Sequence, residues 1–183
     1  MKDIYLSNDK IKIGKKIVGG VGGDVLFYVS DLGKLGLPIK EGILKIFVKQ
    51  GSNKKEPSEL KIHSKISNHP KLKHYIPKVY CKGIYTVTDI DKMKDIKPGS
   101  YHYFIIEDVN KIKSKYSGEL YNVIQKLCKE LTTKNSLKYK KFICNLLWQL
   151  ALLIYTFIKE GYTHCDIHSN NIFVKIVDED KHY

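Results

Sequence analysis

Short alternating runs fill the first half of the chain, and a helical period takes over in the last third. From Ile11 to Val18 apolar and polar residues alternate; Gly19-Gly20-Val21-Gly22-Gly23 follows, then an aromatic and β-branched run over Val25 to Val29. This order predicts strand, glycine turn, strand. Ser30 to Gly42, with three glycines and Pro38, reads as an exposed connection. Ile43 to Val48 (ILKIFV) predicts a further strand with Lys45 inside it. Pro57-Ser58-Glu59 has the composition of a helix's first turn, where proline is tolerated and acid is favoured. On that helix Glu59, Ile62 and Ile66 stand at i, i+3 and i+7, so one acid shares the inward stripe with two isoleucines. Asn68-His69-Pro70 ends it, and Ile76 to Ile84 and Tyr101 to Ile106 predict two more strands around a polar loop containing Pro98-Gly99. From Ser117 the character changes. Lys138 to Lys159 predicts a long helix with Phe142, Leu146, Leu147, Leu150, Leu153, Ile154 and Phe157 on a broad apolar face, and Gly161 stands where a C′ glycine belongs. The shift places a domain boundary between Asp108 and Ser117.

Composition narrows the class. With 183 residues and 43% hydrophobic content the chain can bury a sizeable core. Met1 to Lys10 is charged and lacks the apolar stretch of a secretory signal. Ile143 to Ile158 is broken by Asn145 and Gln149 and falls short of the ~20 apolar residues of a membrane span. An intracellular, cytoplasmic protein without a membrane partner is expected. Cys81, Cys128, Cys144 and Cys165 form no C-x-x-C pair, so reduced thiols are expected. The net charge of +13 comes from 32 basic residues that are all lysines, spread along the chain. Base-reading proteins favour arginine forks, so this charge predicts nonspecific attraction to anions and no specific nucleic-acid partner.

Chemistry gathers at a few positions. Four glycines in one turn let backbone N–H groups approach a polyphosphate, although an ordinary hairpin has the same composition. Lys45 between apolar neighbours needs an anionic partner or an exit to water, and Glu59 is the near acid. The strongest segment is Tyr162-Thr163-His164-Cys165-Asp166-Ile167-His168-Ser169-Asn170-Asn171-Ile172-Phe173-Val174. That spacing would let a carboxylate face a hydroxyl nucleophile while, five residues on, an amide oxygen coordinates a hard cation. His164 and His168 also have the i, i+4 spacing of a zinc hydrolase, but Cys165 takes the place of its general-base glutamate and the polar residues that follow disfavour a helix. His63, His69, His74, His102 and His182 read as solvated or turn histidines, and Trp148 with its neighbouring leucines as core.

His164-Cys165-Asp166 with Asn171 resembles the catalytic loop H-R-D-x-x-x-x-N of the protein-kinase superfamily. Glycine turn, strand lysine, helix glutamate, the hinge-like Phe104-Ile105-Ile106-Glu107-Asp108, the long helix and this loop occur in the family's order along essentially the whole chain. The resemblance implies an α+β, protein-kinase-like fold: a β-rich N-lobe with one helix over residues 1–109, and the start of a helical C-lobe over residues 110–183. It implies ATP and Mg²⁺ as cofactors and a Ser/Thr hydroxyl of a protein as acceptor. Lys45 would hold the α- and β-phosphates, Glu59 would orient Lys45, Asp166 would accept the hydroxyl proton and Asn171 would bind magnesium. Val18, Gly20, Gly23 and Val25 would cover the phosphates, and Glu107 and Val109 would offer backbone groups to adenine.

The departures are specific. Val18 stands for the first loop glycine, Gly22 for the loop-tip aromatic, and Cys165 for the arginine that clamps a phosphorylated activation loop. His168 replaces the lysine of Ser/Thr kinases; D-x-H-x-x-N is the spacing of aminoglycoside- and choline-kinase-like enzymes, which admits a small-molecule acceptor. Asp178-Glu179-Asp180 resembles the turn that leads to D-F-G, and the sequence stops at Tyr183, where that segment would start. The resemblance therefore implies an ATP-dependent Ser/Thr protein kinase truncated before one of its two expected metal ligands, or a pseudokinase or regulatory fragment that meets a protein partner on the uncovered C-lobe face.

Overall fold

The computed structural model describes residues 2–6, 10–17, 24–48, 55–88, 93, 96–111, 118–131, 136–163, 167–169 and 171–174. The fold is α+β and divides into two compact units, Met1–Asp108 and Val109–Tyr183.

The first unit is built on one sheet. Strands β1 (Lys2–Asp3), β2 (Lys12–Ile17), β3 (Val25–Ser30), β4 (Glu41–Ile46), β5 (Val79–Val87) and β6 (Gly99–Ile106) lie in the order β1-β5-β6-β4-β3-β2. Five of them pair antiparallel; β1 is added in parallel on the edge of β5. Alternation sorts the side chains. Val25, Phe27 and Val29 of β3, Leu44 and Ile46 of β4, and Tyr101, Tyr103 and Ile105 of β6 turn to one face and form the main core with Leu6, Ile11 and Tyr85. The opposite face carries a smaller cluster of Phe47, Val79 and Phe104, closed by Leu60 from helix α1 (Ser58–Ser67). The Ser67 hydroxyl accepts from the Val79 N–H at 2.9 Å, which ties the end of α1 to the start of β5.

Two local expectations change here. The inward stripe of α1 is Leu60, Ser64 and Ser67 with Ile66, while Ile62 is 48% exposed and Glu59 lies on the helix flank; Pro57 is the N-cap residue and not the first helical one. The moment of a short, mostly polar helix defines its buried side poorly, and the position of Phe104 beneath it decides. The connection Ser30 to Gly42 is also not a free loop. Leu32–Leu35 forms a 3-10 turn, entered through Asp31 and left through Gly36 in left-handed conformations, and it drops Leu32 and Leu37 into the main core.

In the second unit a two-stranded ribbon pairs β7 (Gly118–Glu119) with β8 (Phe173–Val174) beside helix α2 (Leu120–Leu131), which in turn packs on helix α3 (Ser136–Lys159). Helix α3 ends in a Schellman arrangement: the Gly161 N–H reaches the Ile158 carbonyl at 3.0 Å, the Tyr162 N–H reaches Phe157 at 2.9 Å, and Gly161 takes a φ of 80°. Leu146 and Phe157 are buried, but Trp148 is 70% exposed and Leu147 60%, so these two are surface and not core. Lys140–Lys159, at 20 residues, is long and apolar enough to cross a membrane by length and composition alone, which the interrupted stretch Ile143 to Ile158 did not suggest, and only 11% of its most apolar stretch is buried.

Candidate functional site

Three charged side chains meet on the α1 face of the first sheet. Because Leu44 and Ile46 are drawn into the main core, the pleat turns Lys45 to the other side, where its ammonium stands 5.0 Å from the Phe47 ring centroid. Glu59, in the first turn of α1, accepts from Lys45 Nζ with both oxygens, at 2.6 and 2.7 Å. The positive end of the helix favours an acid at that position. Asp24, just ahead of β3, brings Oδ2 to 3.5 Å from the same Nζ. The Lys45 and Asp24 side chains are 17% and 19% exposed, that of Glu59 51%.

A second pair runs beside the first. Leu26, Lys45, Phe104 and Lys82 are consecutive cross-strand partners through β3, β4, β6 and β5. Lys82 forms a salt bridge to Glu56, directly before α1. The start of α1 is thus held by two carboxylates on two sheet lysines, with Phe104 between them in the row.

Of the phosphate-covering residues, Val18, Gly20 and Gly23 lie outside the described residues; Val25 is buried opposite Ile46. The Glu107 N–H is committed to the Lys78 carbonyl at 2.9 Å, so any backbone group Glu107 offers a base is its carbonyl. Val109 opens a 3-10 turn, Val109–Lys111, in the second unit. Asp166, with His164 and Cys165, and the turn Asp178-Glu179-Asp180 lie outside the described residues. Asn171 is described: its N–H closes a turn onto the His168 carbonyl at 2.9 Å.

The loop is anchored by a helix that the hydrophobic pattern did not bring forward. The N–H groups of Leu120 and Tyr121, at the start of α2, donate to the carbonyls of Ile172 at 2.7 Å and Ser169 at 3.3 Å. Loop carbonyls thereby satisfy helix-start donors that would otherwise lack partners. The signal for α2 is present as Leu120, Val123 and Leu127 at i, i+3 and i+7, all buried. Along its polar side Asn110, Gly118, Glu119, Asn122, Gln125, Lys126 and Lys129 line a cleft of about 380 Å³ that no sequence expectation touched.

The histidines need correction. His63 is half-buried, with Nε2 3.0 Å from the Pro77 carbonyl and its ring edge-on to Phe104 at 5.3 Å. His102 is also half-buried, with Nε2 shielded from solvent and without a hydrogen-bond partner. Neither is a solvated residue.

A metal finds little among the described residues: no three His, Cys, Asp or Glu side chains gather to hold one. Asn171, exposed, can offer a single amide oxygen. A polyphosphate finds more, because Lys45 is a sheltered cation held in place by an acid. A scan against protein-family models finds no match for this sequence, and a search of curated proteins finds none either.

Proposed function

We propose that the chain is a protein-kinase-like phosphotransferase chain that binds ATP with Mg²⁺ and directs the γ-phosphoryl group to a Ser/Thr hydroxyl of a protein. The observation that carries this reading is the two-oxygen contact between Lys45, in a central strand, and Glu59, in the helix that follows. That pairing is what kinases require to hold the nucleotide phosphates. The antiparallel sheet, with its lysine strand followed by one helix, agrees with the N-lobe that the sequence resembles. In this reading Glu59 keeps the Lys45 ammonium from swinging to water. Glu107 and Val109 offer backbone groups to the base, Asp166 orients the acceptor hydroxyl and takes its proton, and Asn171 would be one holder of the metal through its amide oxygen. Bound magnesium would neutralise phosphate charge. A noncatalytic, nucleotide-binding role uses the same first unit and differs only in turnover.

The test is a titration of Mg-ATP into the purified chain beside Lys45→Met and Asp166→Asn, with γ-phosphate release and protein phosphorylation followed in the same samples. Saturable binding weakened at least about tenfold by Lys45→Met is expected, a loss typical of a desolvated charge contact to phosphate. Turnover abolished by Asp166→Asn establishes the enzyme, and binding without turnover establishes the regulatory form. No binding to any sample rejects both.

A further inference from the structure

Lys45 is approached by a carboxylate that its pairing with Glu59 does not require. An ammonium has three hydrogens to donate. Two are taken by the Glu59 oxygens at 2.6 and 2.7 Å, and Asp24 Oδ2 waits at 3.5 Å, just beyond hydrogen-bond length. Register favours this approach: Val25 pairs with Ile46 and Leu26 with Lys45, so alternation turns Asp24, just ahead of β3, to the same sheet face as Lys45. At 19% exposure Asp24 is more sheltered than Glu59, so its field on Nζ is the less screened of the two. One ammonium between two carboxylates leaves the cluster at a net charge of −1. In sequence, Asp24 immediately follows the glycine-rich run that ends at Gly23.

We propose that Asp24 is an electrostatic gate on Lys45, holding off free polyphosphate until its carboxylate is displaced or a cation arrives with the phosphate. This rests on the reading that Lys45 receives phosphate. Glu59 holds Nζ with two short contacts and stays. Asp24, with one longer contact, is the partner that yields. The site therefore discriminates between a metal-free polyphosphate, which meets a negative cluster, and a metal complex, whose cation offsets the Asp24 charge. The gate acts by charge, so it disappears when the carboxylate becomes an isosteric amide.

The experiment is a calorimetric titration of metal-free inorganic tripolyphosphate, and separately of Mg-ATP, into the wild-type chain, Asp24→Asn, Asp24→Ser, and Asp24→Asn combined with Lys45→Met. Asp31→Asn serves as the control, because it removes the same charge from an exposed residue paired with Lys34. Asp24→Asn and Asp24→Ser are expected to bind tripolyphosphate about five- to tenfold more tightly than wild type, the scale of one poorly screened charge contact. The gain vanishes with Lys45→Met and is absent from Asp31→Asn. Unchanged tripolyphosphate affinity in both Asp24 variants, or an equal gain in Asp31→Asn, overturns the gate. The two readings separate cleanly. A tripolyphosphate gain with no Mg-ATP binding in any variant keeps the gate and rejects the nucleotide; Mg-ATP binding with no tripolyphosphate gain does the reverse.

Discussion

Cys81 shows what burial does to one side chain. It lies in β5 with no exposed surface, its Sγ 3.9 Å from the Tyr103 hydroxyl, which donates to the Ile4 carbonyl at 2.8 Å. Loss of solvent pushes the thiol up to about 11; the contacts with Tyr103 and the Ile105 backbone pull it partly back. Cys128 and Cys144 are exposed. Iodoacetamide at pH 8, followed by mass spectrometry, is expected to label those two and leave Cys81 intact until the chain unfolds, because only thiolate reacts. A thiol held protonated by the fold contributes stability that is complete below the ordinary value near 9.0 and is lost as pH rises toward 11. Wild type is therefore expected to lose about 2 kcal/mol more than Cys81→Ala between these pH values in urea melts. Parallel curves for the two proteins would reject this. Tyr80 shifts the same way, through burial first and the nearby Glu107 carboxylate second.

Among the elements, α1 separates charge from packing. Glu59 is half exposed and its pair with Lys45 is screened, so Glu59→Gln costs less than about 1 kcal/mol of stability. Leu60, one residue on, is 1% exposed against Phe47, Val79 and Phe104, and Leu60→Ala costs about 2–4 kcal/mol. Equal losses in denaturant melts would show that the helix is held by its ion pairs. The edge strand β1 depends on a glycine. At Gly83, φ is 158° and an added Cβ would stand 2.1 Å from the Ile4 carbonyl oxygen, which belongs to backbone and cannot swing aside. Gly83→Ala is expected to release β1, seen as faster amide exchange at Ile4 and Leu6, whose N–H groups bond to Lys82 and Ile84. Helix α3 carries the opposite liability: Leu147, Trp148, Leu152, Tyr155 and Ile158 stand in solvent along one side. Apolar surface of this kind drives association. Leu147→Lys with Tyr155→Lys is expected to move the chain toward monomer in light scattering, and an unchanged mass would show that this face is not the cause.

For the whole molecule, the two units differ in how they are built. Among the described residues, the buried members of both apolar clusters of the first unit lie between Leu6 and Ile105, with Ile4 and Ile106 packed beside them, and long-range strand pairing closes them. Residues 1–108 alone are expected to melt cooperatively by circular dichroism, since a domain with its own core folds on its own. A gradual, non-cooperative loss of signal would mean that this sheet needs the rest of the chain.

What the sequence determined by itself was local. Alternation in ILKIFV and in Val25 to Val29 marks strands because period two matches the pleat, and Gly161 marks a helix end because only glycine takes the left-handed angle there without strain. The proximity of Lys45 and Glu59 was also readable, since a lysine among apolar neighbours needs an anionic partner and an acid on the next helix can supply it. Tertiary structure decided everything that depends on which strand lies beside which. Asp24 carried no sequence signal, and only the β3–β4 register brings it to Lys45; the Lys82 partnership with Glu56 needed the β5–β6–β4 order. His63 left the solvent because Phe104 lies under it. Helix α2 gained its role only where the carbonyls of Ser169 and Ile172 meet its first turn. Ion pairs and buried faces are set by neighbours distant in sequence, and a one-dimensional pattern carries the period of an element but not the identity of what packs against it.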